Sequence, residues 1–203
     1  FSFKLEELIQ EDKSVAALCC KLISGKSFFE MAHSYAGYAY IQNGEKRKID
    51  YLNTACTAVL RQAVINVGGL SEDMRVSEDP ELALKLKEKG YKIFFTPDLE
   101  VFHNHQVDTF GKLLKKHYLW GRLLGVKLEL KHPGYSGVPR AFLLNPIINF
   151  ALILPAAFFT TLKILMYNYR YDDKVIFYAL HIFLAKIYFR LGIFLNIWQG
   201  ADA

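Results

Sequence analysis

Ala141–Leu162 is a run of 22 residues without a charged side chain. About 20 apolar residues suffice to cross a bilayer core as a helix, so this run is a candidate transmembrane helix. Pro146 and Pro155 are expected to kink it, which membrane helices tolerate. Val175–Trp198 is a second, weaker candidate, because it contains His181, Lys186 and Arg190. Lys186 and Arg190 are four apart and share a helical face, where they must snorkel or face protein. A second span or deep interfacial helix packed on the first is preferred to a re-entrant or surface helix. Two spans would return the chain to the side of its soluble part.

The N-terminal half has a different character. Hydrophobic residues make up 52% of the 203 residues and aromatics 15%, but they concentrate toward the C-terminus. The formal net charge is +5, and the basic residues cluster between Lys112 and Arg140, just ahead of the apolar run. That placement suits anionic headgroups on the cytoplasmic side of a membrane. It carries no nucleic-acid-binding motif, so nucleic acid is not expected as a partner. Cys19, Cys20 and Cys56 have no zinc-site spacing and read as buried thiols in a reducing compartment. The chain starts at Phe1 without an initiator Met or a signal peptide, and is expected to be the C-terminal part of a longer protein.

Before His105 the pattern alternates. Phe3–Gln10 reads as the end of a helix and Ser14–Leu22 as a buried strand. Phe28–Ile41 is aromatic-rich, helical or irregular, and Asn43-Gly44 is a turn signal. Asp50–Val59 reads as strand and loop, and Arg61–Val67 as a short helix ending at Gly68-Gly69. Pro80–Lys89 is the clearest helix, with Asp79 as N-cap, Pro80 first inside and Gly90 just past the end. Tyr91–Thr96 and Leu99–His103 read as two strands separated by Pro97-Asp98. This is an α/β layer architecture. After it, Asp108 is placed to cap a helix reaching about Leu124. Its apolar Phe110, Leu113, Leu114 and Tyr118 and basic Lys112, Lys115 and Lys116 suit a helix lying in the membrane interface better than an ordinary amphipathic surface helix.

Few residues offer chemistry. Asp79 opens a helix on a loop at the end of a sheet, where an ionised carboxylate can act as a general base. Helix capping alone also explains an Asp before Pro. Glu78 beside it could tune Asp79 or sit as an exposed loop acid. His103 and His105, two apart in a strand, would share one face. They could bind a divalent metal with further ligands, or be partly buried polar histidines. Gly68-Gly69 is either a turn needing positive φ or a loop that admits a ligand to backbone amides.

The ordered set is more informative than its members. It runs from Asn53-Thr54-Ala55-Cys56-Thr57-Ala58-Val59-Leu60-Arg61 through Val67-Gly68-Gly69-Leu70 to Val76-Ser77-Glu78-Asp79-Pro80-Glu81-Leu82. Lys89-Gly90-Tyr91-Lys92-Ile93 and Val101-Phe102-His103 complete it. This series resembles the C-terminal half of glycosyltransferase family 2, over about Phe1 to Arg122. The resemblance implies a partial GT-A (Rossmann-like) domain followed by interfacial and transmembrane helices. It makes Asp79 the catalytic base for inverting transfer from a nucleotide sugar and Glu78 its partner acid. It places Gly68 and Gly69 near donor and acceptor, and Thr57 on the acceptor side where many members have Asn. His103 matches a histidine that helps bind metal or diphosphate, with His105 a second. The polymerising members' Gln-x-x-Arg-Trp is reduced to Lys116-His117-Tyr118-Leu119-Trp120, where Trp120 alone matches, which favours transfer of single sugars.

The family's nucleotide-binding strands and Asp-x-Asp motif have no counterpart in the chain. The resemblance therefore implies Mg²⁺ or Mn²⁺ whose main carboxylate ligands lie in a missing N-terminal half, so that this piece alone is not expected to turn over. The expected partners are a nucleotide-sugar donor, a lipid-linked or membrane-proximal glycan acceptor and the plasma membrane, with the catalytic part cytoplasmic. The expected division is residues 1–107 for the transferase half, 108–140 for the interfacial helix and basic linker, and 141–203 for a membrane region of one or two spans. The competing reading is a non-catalytic, membrane-anchored binding or scaffold module derived from a transferase.

Overall fold

A computed structural model describes residues 2–25, 27–74, 77–124, 126–134 and 136–200. Phe1 and Val76 of the segments quoted above, and the last three residues of the expected membrane region, lie outside them. The chain forms two compact units: Phe1–Ile23 with Tyr40–His103, and Ser24–Ala39 with Asn104–Ala203.

The first unit is built on a four-stranded sheet of order β2-β4-β1-β3. Helix α1 (Ser2–Glu11) precedes β1 (Val15–Ser24), and β2 (Arg47–Ile49), β3 (Thr57–Val59) and β4 (Lys92–His103) follow. Residues Val15 to Cys20 are all buried, as expected of an inner strand covered on both faces. Leu5 and Leu8, one turn apart on α1, close over Val15 and Leu18. Asp12 ties the α1–β1 turn, accepting from the Ser14 amide at 2.9 Å and from Lys92 Nζ at 2.6 Å. The fold is the expected α/β arrangement.

One expectation about the sheet fails. Tyr91–Thr96 and Leu99–His103 are not two strands but the single β4. Its register with β2 runs over Ile93, Phe94 and Phe95, so Pro97 lies beyond that ladder.

The second unit is helical. Within it, Ala32, Tyr35, Ala36 and Ala39 of α2 (Phe28–Gln42) recur at helical spacing and are buried with Leu113, Ile164, Ile182 and Ala185. Helix α5 (Phe110–Leu124) is followed by the short α6 (Lys127–Lys131), α7 (Arg140–Leu143) and α8 (Pro146–Ala151), then α9 (Ile153–Tyr169) and α10 (Ala179–Trp198). The start of α5 is held by Thr109, whose hydroxyl accepts from the Lys112 amide at 3.3 Å. Asp108, the expected cap, pairs instead with Lys112 Nζ at 2.7 Å.

The amphipathic pattern of α5 serves helix packing. Leu113, His117 and Gly121 form its buried stripe, and α5 packs along α10. At the crossing, a Cβ built on Gly121 would overlap the Phe189 carbonyl, and one on Gly192 would overlap the Tyr118 carbonyl. The two backbones touch because both positions lack a side chain. Phe110, Leu119 and Leu123 remain exposed on the same helix.

The uncharged run Ala141–Leu162 does not form one continuous helix; it is divided among α7, α8 and α9. Asn145 caps α8 by accepting from the Ile148 amide at 3.1 Å, with Pro146 as its first residue. Pro155 falls in the first turn of α9, where a missing N–H is harmless. The prolines start helices instead of kinking one. Among the described residues, the one helical stretch long and apolar enough to cross a membrane is Asp173–Trp198. Large apolar side chains crowd the surface of this unit nonetheless: Ile147 is 75% exposed, Phe150 63%, Leu154 60% and Phe177 73%.

Candidate active site

In the first unit, the chain after β2 builds a compact loop–helix assembly. A 3₁₀ turn, Thr54–Cys56, leads into β3, which pairs antiparallel to β1 with Cys19 opposite Thr57. The turn is locked by Asn53, whose side chain accepts from the Ala55 amide at 3.0 Å. The Asn53 carbonyl accepts from the Thr57 hydroxyl at 2.6 Å, and that hydroxyl accepts from the Asn53 amide at 3.3 Å. Thr57, expected to face an acceptor, therefore spends its hydroxyl inside the turn. Cys19 and Cys56 bring their sulfurs to 3.6 Å as free, buried thiols.

Helix α3 (Arg61–Asn66) follows and ends at the glycine pair. Gly68 has φ of 80° and Gly69 of 72°, both in the left-handed region, and neither has a neighbour a Cβ would strike. Positive φ, not close approach, selects glycine here. Their amides cap α3, donating to Ile65 at 3.0 Å and Val64 at 2.9 Å, so neither N–H is available to a ligand. Lys85 then ties this turn to the next helix, donating to the Gly69 carbonyl at 3.2 Å and the Ser71 hydroxyl at 2.7 Å, and standing 3.6 Å from Glu81.

That helix, α4 (Glu78–Glu88), starts earlier than the sequence suggested. Ser77 occupies the cap position and its carbonyl accepts from Glu81 at 3.0 Å, but its side chain makes no cap hydrogen bond. Asp79 is the second helical residue, not the cap, and Pro80 the third, both among the amides that need no helical acceptor. The capping explanation for Asp79 is thereby removed. The hydroxyl and backbone amide of Thr54 favour the ionised form of its carboxyl group. Burial outweighs them and pushes the Asp79 carboxyl above the usual carboxylate range.

Three consecutive side chains at this helix mouth carry a buried oxygen with no hydrogen-bond partner: Ser77 Oγ, Glu78 Oε2 and Asp79 Oδ1. Buried polar atoms are nearly always paired, so three unpaired ones in succession are unusual. The oxygens can accept a proton or a hydrogen bond from a hydroxylated ligand. They do not amount to a metal centre: among the described residues, no group of three or more His, Cys, Asp or Glu is placed to hold an ion.

The expected histidine pair separates. His103 is the last residue of β4 in the first unit, whereas His105 lies beyond the strand, in the second unit, and is buried. Two residues apart they would share a face only if the strand continued, and it stops at His103.

His105 belongs to a cluster the sequence did not announce. Its ring stacks on Tyr38 at 4.9 Å and meets His33 at 4.7 Å. His33 Nδ1 lies 3.1 Å from His117 Nε2, and both rings are buried. Burial holds both imidazoles well below their ordinary range, so both are neutral near pH 7. Trp120 packs against His33 and His117 and carries Lys116 Nζ 5.6 Å from its ring centre. Gly37 makes room for that indole, since a Cβ there would come within 2.9 Å of it. One sequence signal could have found His117: it is four residues from both Leu113 and Gly121, on the buried stripe of α5.

Comparison with known families adds one finding. The model described as glycosyl transferase family group 2 matches residues 7–193. No curated protein sequence matches the chain.

Proposed function

Taking as premise that this chain belongs to glycosyl transferase family group 2, we propose that it supplies the acceptor-activating part of an inverting, membrane-anchored glycosyltransferase. The donor is a nucleotide sugar. Asp79 accepts the proton of the acceptor hydroxyl as its oxygen attacks the anomeric carbon, and the nucleoside diphosphate leaves from the opposite face. Glu78 lies beside it as the partner acid. The observation that carries this reading is Asp79 itself: a carboxylate freed from helix capping, made more basic by burial, with Oδ1 unpartnered.

Among the described residues no group of three or more His, Cys, Asp or Glu is placed to hold Mg²⁺ or Mn²⁺, so we assign no ligand to either ion and route no step through one. The exposed apolar side chains of α8, α9 and the approach to α10 support contact with lipid, and with it a lipid-linked or membrane-proximal acceptor at the cytoplasmic face of the plasma membrane.

In the full-length protein, Asp79→Asn should lower kcat by roughly 10²-fold or more while nucleotide-sugar binding persists, the usual worth of a general base. Turnover near the wild-type rate in that variant would sink the assignment. For the membrane part, Ile147→Asp combined with Phe158→Asp should weaken binding to phosphatidylglycerol-containing vesicles; unchanged binding would remove the apolar face from the reading.

A further inference from the structure

Cys19 and Cys56 are 37 positions apart in the chain, yet their sulfurs stand 3.6 Å from one another, both as free, buried thiols. Their backbones are placed for a closer join. Thr57 is the residue opposed to Cys19 in the β1–β3 ladder, and Cys56 is its neighbour. Opposed Cα atoms on antiparallel strands lie about 4.5–5.5 Å apart, and a disulfide spans about 4.4–6.8 Å. Strand alternation would send a residue next to Thr57 to the other face of the sheet. Cys56 escapes that rule because it belongs to the 3₁₀ turn, which aims its sulfur at Cys19.

The two sulfurs sit on unequal supports. Cys19 is on the inner strand β1, flanked by β4 and β3. Cys56 ends a turn whose Thr54 and Ala55 are exposed, and it leads into β3, a three-residue strand at the edge of the sheet. A short edge strand opens locally at lower free energy than an inner one, and such opening admits a water-sized oxidant to the pair.

We propose that Cys19 and Cys56 form a redox-sensitive clamp: hydrogen peroxide joins their sulfurs in a disulfide, and that bond fastens the 3₁₀ turn and β3 to β1. The Cys19 thiol is held below its ordinary range chiefly by its hydrogen bond with Cys56, so it attacks first, as thiolate. Its sulfur bonds to one peroxide oxygen, the O–O bond breaks, and the hydroxide released takes up the Cys19 proton as water. The sulfenic acid left on Cys19 is then attacked by the Cys56 sulfur. The S–O bond breaks, and its oxygen leaves as a second water with the Cys56 proton. Two thiols give up two electrons and one peroxide accepts them. Small thiols of a reducing compartment reopen the bond by exchange, as suits a transient, sensing disulfide. Cys20 is the competing partner on β1. Its sulfur lies 3.8 Å from the Lys21 carbonyl, and burial pushes its thiol up to about 11, which leaves little thiolate to react.

The test treats the reduced full-length protein with hydrogen peroxide, digests it without reductant and maps the peptides by mass spectrometry. The expected product joins the Cys19 and Cys56 peptides and is released by dithiothreitol. Hydrogen exchange at the amides of residues 54–59 should slow about tenfold or more on oxidation, because the edge can no longer open. Cys20→Ser should bridge as wild type does. Cys56→Ser should stop at a sulfenic acid on Cys19, trapped by dimedone, and keep its fast exchange; wild type and Cys20→Ser decide the bridge without it. Thiols that stay reduced, sulfinic acids without a bridge, or a Cys20–Cys56 bridge would each overturn the pairing. A Cys19–Cys56 bridge with unchanged exchange would overturn the clamp.

Discussion

The Thr57 hydroxyl donates to the Asn53 carbonyl across 2.6 Å, closing the 3₁₀ turn that begins at Thr54. A side chain expected to meet substrate is therefore a fastening of the loop beneath it. Thr57→Val leaves the carbonyl of the buried Asn53 without its donor, and a lost hydrogen bond of this kind costs about 1–2 kcal/mol. Chemical denaturation should show that loss, with Thr57→Ser close to wild type. If the acceptor KM rises instead and stability is unchanged, the hydroxyl faces substrate after all.

Asp79→Asn should stabilise the protein at neutral pH. The folded-state pKa of Asp79 is raised, so its contribution is most favourable below the unfolded value of about 3.9 and is lost as pH rises through the folded value. At pH 7 the fold carries the cost of an ionised, partly buried carboxylate. The neutral amide removes that cost. A Tm higher by a few degrees at pH 7, with little difference near pH 4, is the expected result. A Tm that falls at pH 7 would mean that the carboxylate is fully satisfied.

Two classes of glycine should respond differently to Ala. Gly121→Ala or Gly192→Ala drives a methyl into a facing backbone carbonyl, and overpacking of that kind costs about 1–3 kcal/mol. Gly68→Ala meets open space and carries only the left-handed φ penalty of about 1–2 kcal/mol. Gly121→Ala and Gly192→Ala should also be non-additive, because either one already separates the helices. Additive losses would show that the two positions do not share one crossing.

The His33–His117 pair makes acid sensitivity a property of the helical unit. Both imidazoles sit below their unfolded pKa of about 6.5. Their contribution is therefore complete above that pH and declines as pH falls below it, by up to about 1.4 kcal/mol per pH unit for each ring. Denaturation midpoints at pH 7.5 and 5 should differ more for wild type than for His117→Leu. Equal differences would show that the rings titrate freely.

Much of the first unit could be read from short-range pattern. The buried run of β1, the caps of α3 and the Gly90 stop of α4 all express local rules, and so did the α/β alternation. The errors have local causes too. Asp79 resembled a cap because Asp before Pro is a good one, yet Ser77 took that position and left Asp79 inside the first turn. Pro97 looked like a strand break because periodicity cannot tell where a ladder ends within a longer strand. The imidazole cluster was beyond reach for a different reason: His33 and His117 are joined only by the folding of α2 beside α5, and neither has a neighbour in sequence that hints at the other. Proline in an uncharged run was ambiguous between kinking one long helix and beginning a new one, and Asn145 decided for the second.

The contact of Gly121 with Gly192 has a mechanical corollary. Helices held apart by side chains can slide or roll as rotamers change, but two backbones in direct contact have no such slack. Arg122 and Asn196 pin the same end, with Arg122 Nη2 donating to Gln199 at 2.6 Å and Asn196 donating to the Arg122 carbonyl at 2.5 Å. Helix α5 thus works as an outrigger of α10: whatever depth and tilt α10 adopts at a surface, α5 and its row of lysines inherit.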